Sequence, residues 1–135
     1  MKSKILSFVA AVLAATLVAC GTLNPLSHAQ TVEQKAYALY GEFVVVEEQE
    51  AQAVNSPQVS ASIKQQVLAI DTRAKSAADS LLDAAKAVRD IRDQIAKGTS
   101  TDQQLVIATA SLQKWYDDLS PKLAALAAAV KGTPK

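Results

Sequence analysis

Cysteine and histidine occur once each, as Cys20 and His28. A lone thiol excludes any disulfide within the chain, and the pair is too small for a Cys/His metal cluster. One histidine in a polar stretch also argues against acid–base chemistry by imidazole. Glycine and proline appear four times each, and the aromatics are one Trp, three Tyr and two Phe. That scarcity suits sheets poorly, whereas abundant alanine in 135 residues suits one domain of closely packed helices. Charge of one sign is lacking too: 14 basic residues face 13 acidic ones. No basic face large enough to dominate a nucleic-acid encounter is implied, so a nucleic-acid partner is not expected. A Gly-rich phosphate loop, a nucleophile elbow and a His-Glu-x-x-His pair are all missing. The expectation is therefore a non-enzyme, without catalytic residues, cofactor or metal.

Only one long hydrophobic run is present. Lys2 and Lys4 precede fifteen uncharged residues, Ile5 to Ala19. A membrane span needs about 20 apolar residues, so this run fits the hydrophobic region of a secretory signal better. The alternative is an apolar core helix with an inert, buried Cys20; the basic start and abrupt change to polar sequence argue against it.

Leu17-Val18-Ala19-Cys20, followed by Gly21, resembles the lipobox of bacterial lipoprotein precursors. The resemblance covers about the first 21 residues. It implies that the Cys20 thiol receives diacylglycerol and that the signal peptide (1–19) is cut after Ala19. The new amino group is then acylated. Leu17, Val18, Ala19 and Gly21 are the residues a signal peptidase would recognise. Several acyl chains, each methylene worth about 0.8 kcal/mol, would hold the protein on the membrane stably. In Gram-negative members an aspartate after the cysteine signals inner-membrane retention. Gly21 at that position implies the periplasmic leaflet of the outer membrane. In a Gram-positive host the same box would place the chain on the outer face of the plasma membrane.

From Gly21 to Gln30 the sequence has neither helical nor strand period and reads, with Cys20, as a flexible tether (20–30). A helical domain over 31–132 is expected beyond it. Thr31 and Gln34 have capping-box spacing, and Val32, Ala36, Leu39, Phe43 and Val46 mark one apolar stripe. Asn55-Ser56-Pro57 supplies a turn, with Ser56 as N-cap and Pro57 as first residue of a second helix over 57–97. That helix carries the clearest pattern. Ile63, Val67, Ile70, Ala74, Ala77, Leu81, Ala84, Val88, Ile91 and Ile95 alternate steps of four and three, a coiled-coil-like seam. Gly98 is a suitable stop. Asp71 with Lys75, Lys86 with Asp90, Arg89 with Asp93, and Asp93 with Lys97 stand four apart, as exposed ion pairs do. A third helix over 101–131 starts at Ser100 or Thr101, with Gln103 or Gln104 completing a capping box. It carries Leu105, Ala108, Leu112, Trp115 and Leu119, then Leu123, Leu126 and Val130. Pro121 predicts a kink, or a new short helix capped by Ser120. The fold class is all-α, an up-down-up three-helix bundle with one long helix.

Within the first helix, Glu42, Glu47, Glu48 and Glu50 are too widely fanned to converge on a metal unaided, and charge matching with the second helix is expected. Phe43 to Val46 span a full turn, so one face cannot bury them all. Tyr37, Tyr40, Val44 and Val45 are the candidate partner contacts, and Gly41 beside them would permit close helix approach or a bend. Ser111 and Lys114 match a Ser-x-x-Lys box by chance, since its companion motifs are missing. The expected function is a non-catalytic, lipid-anchored envelope protein that contacts the membrane through Cys20 and an envelope protein, or itself, through the bundle. A second reading is a phage or prophage lipoprotein that blocks an outer-membrane receptor or assists lysis.

Overall fold

In a computed structural model the described residues are 31–133. They form three helices: α1 (Val32–Asn55), α2 (Ala61–Ala96) and α3 (Asp102–Lys131). Each packs against the other two, giving the up-down-up bundle, with no strand among the described residues. The signal peptide and the tether, with Leu17, Val18, Ala19, Cys20, Gly21 and His28, lie outside the described residues.

Two capping boxes set the starts of α1 and α3. The Thr31 hydroxyl accepts from the Gln34 N–H at 3.2 Å, and the Gln34 side chain accepts from the Thr31 N–H at 3.1 Å. Thr101 and Gln104 repeat the arrangement, which settles Thr101 over Ser100 and Gln104 over Gln103. Each box satisfies donors that the first helical turn leaves orphaned.

The end of α2 is closed by Gly98, whose φ of +73° lies in the left-handed region. Its N–H donates to the Ile95 carbonyl and the Thr99 N–H to the Gln94 carbonyl, both at 2.9 Å. Two terminal carbonyls are thereby satisfied by a backbone that only glycine adopts without strain.

The start of α2 departs from expectation. Ser56 closes α1 instead of opening α2, its N–H donating to the Ala53 carbonyl at 3.2 Å. Pro57 lies in the intervening turn, and Ser60 is the cap, accepting from the Ile63 N–H at 3.4 Å. The reason is Val59, which is buried in this turn. Unwinding the chain over 57–60 takes that apolar side chain out of water, and Ser60 recovers the cap lost at Ser56.

Pro121 does not divide α3. The helix continues from Asp102 to Lys131, and Ser120 caps no new element. Pro121 is exposed, so the carbonyl one turn earlier, at Asp117, is freed on the solvent side where water can serve it.

The core runs along all three helices. Ala36, Leu39 and Phe43 come from α1; Val67, Ala74, Ala77, Leu81 and Val88 from α2; Leu112, Leu119, Leu123, Leu126 and Val130 from α3. These follow the expected stripes, except that Ile91 and Ile95 at the end of the α2 seam are half-buried outside this core. There is also one widening. Ala78 and Ala85, off the α2 seam, are also buried. A helix touching two neighbours buries a broader face than a two-stranded seam does, and alanine lets both approach closely.

Candidate functional site

The outer face of α1 is built by the spacing of its residues. Ala36, Leu39 and Phe43 turn to the core, which leaves Tyr37, Val44 and Val45 on the opposite side. Tyr37 is 43% exposed, Val44 37% and Val45 52%. Tyr40 lies at the border, packed partly against the core with its ring centroid 6.3 Å from that of Phe43. Val46 also packs inward, so the Phe43–Val46 turn is split between core and solvent. Gly41 does not mediate a helix contact. A Cβ there would meet nothing within 4 Å among the described residues, because the residue lies on the outward face.

Electrostatics tie α1 to α2. Lys75 donates to Glu47 at 3.2 Å, and Arg92 pairs with Glu33 at 2.6 Å. The first of these replaces an expected intrahelical pair, and the partners within α2 also differ from those expected. Lys75 does not pair with Asp71; Lys86 meets Asp83 at 3.4 Å, not Asp90, and Arg89 meets Asp90 at 4.0 Å, not Asp93. Asp93 and Lys97 form no ion pair within 4.0 Å among the described residues. Once α1 is in place, Glu47 offers Lys75 better geometry than Asp71 on its own helix.

Charge matching of the acidic segment is nevertheless incomplete. Glu48 points to solvent. Glu50 is only 6% exposed, and burial first, then the charges of Asp71 and Glu47, push its carboxyl above its ordinary value, against the pull of Lys75. Asp71 is raised likewise, by burial first and then by Glu47. One Asp71 carboxylate oxygen is buried without a hydrogen-bond partner among the described residues. Glu42 is raised by burial alone. Lys75 is raised by its hydrogen bond to Glu47 and the surrounding carboxylates. No group of three or more possible ligands could hold a metal ion among the described residues.

Other features carry little chemistry. Gln49, Gln52, Ser56, Val130 and Lys131 line an open cavity of about 470 Å³ between the ends of α1 and α3. The Lys114 ammonium lies 5.5 Å from the Trp115 ring centroid, a cation–π contact, and Ser111 one turn earlier is exposed. No helix among the described residues is long and apolar enough to cross a membrane.

Sequence reasoning passed over the two most exposed large apolar residues among those described. Val106 and Ile107, adjacent on α3, are 68% and 63% exposed. The signal was available: both fall between Leu105 and Ala108, outside the stripe. No family model, curated protein or solved structure matches this chain.

Proposed function

We propose that this chain is the precursor of a lipoprotein, cut after Ala19 and acylated on Cys20, that displays its helical bundle to a protein of the cell envelope. The observation that carries this reading is the run of Lys2 and Lys4, fifteen uncharged residues and Leu17-Val18-Ala19-Cys20-Gly21, in that order. The parts are chemically matched: a thiol is nucleophilic enough to take a lipid as a thioether, and the small Ala19 lets a peptidase approach the backbone. With Gly21 after the cysteine, the periplasmic leaflet of the outer membrane is the destination in a Gram-negative host. In a Gram-positive host it is the outer face of the plasma membrane.

The bundle's task is contact, not catalysis. Tyr37, Val44 and Val45 supply an amphipathic aromatic and two aliphatic side chains on one outward face, the composition that helix-on-helix recognition uses. Tyr40 borders that face and steadies it from the core side. The partner is an envelope protein or a second copy.

Replacing Cys20 by serine tests the anchor. The substituted protein should lose its fatty-acid mass and leave the membrane fraction; membrane retention without that mass would refute the reading. Photocrosslinkers at Tyr37, Val44 and Val45 in intact envelopes test the face. Adducts confined to these positions are expected, and their absence would remove the interaction role.

A further inference from the structure

The starts of α1 and α3 and the end of α2 share one end of the bundle. Short links reverse the chain twice, and the Glu33–Arg92 pair ties the first turn of α1 to the last turns of α2. The ten residues between Cys20 and Thr31 reach at most ~35 Å when extended. A lipid on Cys20 therefore holds this end of the bundle within ~35 Å of the headgroups.

Val106 and Ile107 lie at that end, in the second turn of α3. Leu105 and Ala108 pack against the core on either side, so these two side chains face away from it. Gln103 and Ala110, about one turn away on the same face, are exposed and uncharged. Neither helix formation nor core packing calls for two β-branched side chains here, since both lose rotamer freedom in a helix. Lys97 at the end of α2 and Lys114 two turns further along α3 are exposed, and a lysine's aliphatic stem can lie along an apolar boundary while the ammonium stays in water. The remaining charge at this end is nearly balanced, with Lys35, Arg89 and Arg92 against Glu33, Asp90, Asp93 and Asp102. An occupant of this patch would be held by apolar burial, not by net charge.

We propose that Val106 and Ile107 form a docking wedge for the bilayer that holds the acyl chains of Cys20, sinking into the boundary between headgroups and acyl tails. The proposal rests on the lipid-anchor reading above. Two aliphatic side chains are too few to bind a membrane from solution. The tether supplies the missing local concentration, so the contact forms only in the acylated protein. Docking leans the bundle over, with the first turns of α3 toward the lipid.

The full-length protein, processed and acylated in its host, provides the test. Acylation consumes the sulphur of Cys20, so Ile107→Cys or Val106→Cys introduces the sole thiol, to which a polarity-sensitive fluorophore is attached. Leu68→Cys, an exposed position near the opposite end, is the control. In vesicles of phosphatidylethanolamine and phosphatidylglycerol, labels at 106 and 107 should shift to the blue. A lipid-borne nitroxide should quench them several-fold more than the label at 68, with little change on adding salt. Equal quenching at all three positions overturns the docking while leaving the anchor intact. A blue shift that grows with protein density and escapes lipid quenching assigns the patch to a second copy and also overturns it. Failure of the unlabelled protein to float with vesicles defeats the anchor, and the wedge with it.

Discussion

Lys75 gives its ammonium to Glu47 on the neighbouring helix, at 3.2 Å, and not to Asp71 one turn before it on α2. The consequence falls on Asp71. It is left near Glu47 and Glu50, with one oxygen buried and unpartnered among the described residues. The α1–α2 contact thus holds more negative charge than it neutralises.

That imbalance gives a pH dependence of definite sign. Glu42, Glu50 and Asp71 hold their protons more tightly folded than unfolded, where values near 4.5 and 3.8 apply. Above those values the unfolded chain releases protons first, so stability falls as pH rises through the raised folded values. The melting temperature should fall as pH rises from just above the unfolded values to neutrality, and Glu50→Gln should flatten the fall. An equal or lower value at the acid end would refute the arrangement.

Lys75 provides the opposite limb. Its folded value is raised by Glu47 above 10.5, so its contribution is present below that pH and disappears as pH rises through the folded value. Thermal melts of Glu47→Gln should show a smaller alkaline loss than the parent protein.

Two glycines should respond with opposite signs. Gly41 lies inside α1, and a Cβ there meets nothing among the described residues, so Gly41→Ala should stabilise by about 0.5–1 kcal/mol. At Gly98, with φ +73°, alanine should destabilise by about 1 kcal/mol through backbone strain. Denaturant midpoints at unchanged slope would measure both.

Core truncation should separate structure from contact. Leu112 and Leu119 are wholly buried, and changing either to alanine should cost about 2–5 kcal/mol. Val45→Ser, on the exposed face of α1, should change stability by no more than about 0.5 kcal/mol. Loss of partner crosslinking in that variant, with its melting curve intact, would tie the face to recognition. Full retention of the adduct would exclude Val45.

Much of the fold is legible in the chain because helices write their period locally. Thr31 and Thr101 announce α1 and α3 through a glutamine three positions on, and every residue of the α2 seam from Ile63 to Val88 faces or borders the core. Failures occurred where distant residues compete. Ser56-Pro57 satisfies every local rule for a helix start, yet the chain turns through 57–60 with Val59 buried and the helix starts at Ala61. Lys75 looked paired with Asp71 for the same reason: a spacing of four is visible in one segment, whereas a spacing of 28 is not. Tyr37, Val44 and Val45 could be placed outside the stripe from the sequence, but the inward lean of Tyr40 needed the ring of Phe43 beside it.

The seating of Val59 makes the two interhelical links unequal. Residues 56–60 carry a buried apolar side chain that lengthening the link would disturb. Thr99 and Ser100 bury no large side chain and tie down only their own neighbours. An epitope tag, a fluorescent reporter or a cut that creates new chain ends therefore belongs at 99–100, where the helices can be separated in sequence without being parted in space.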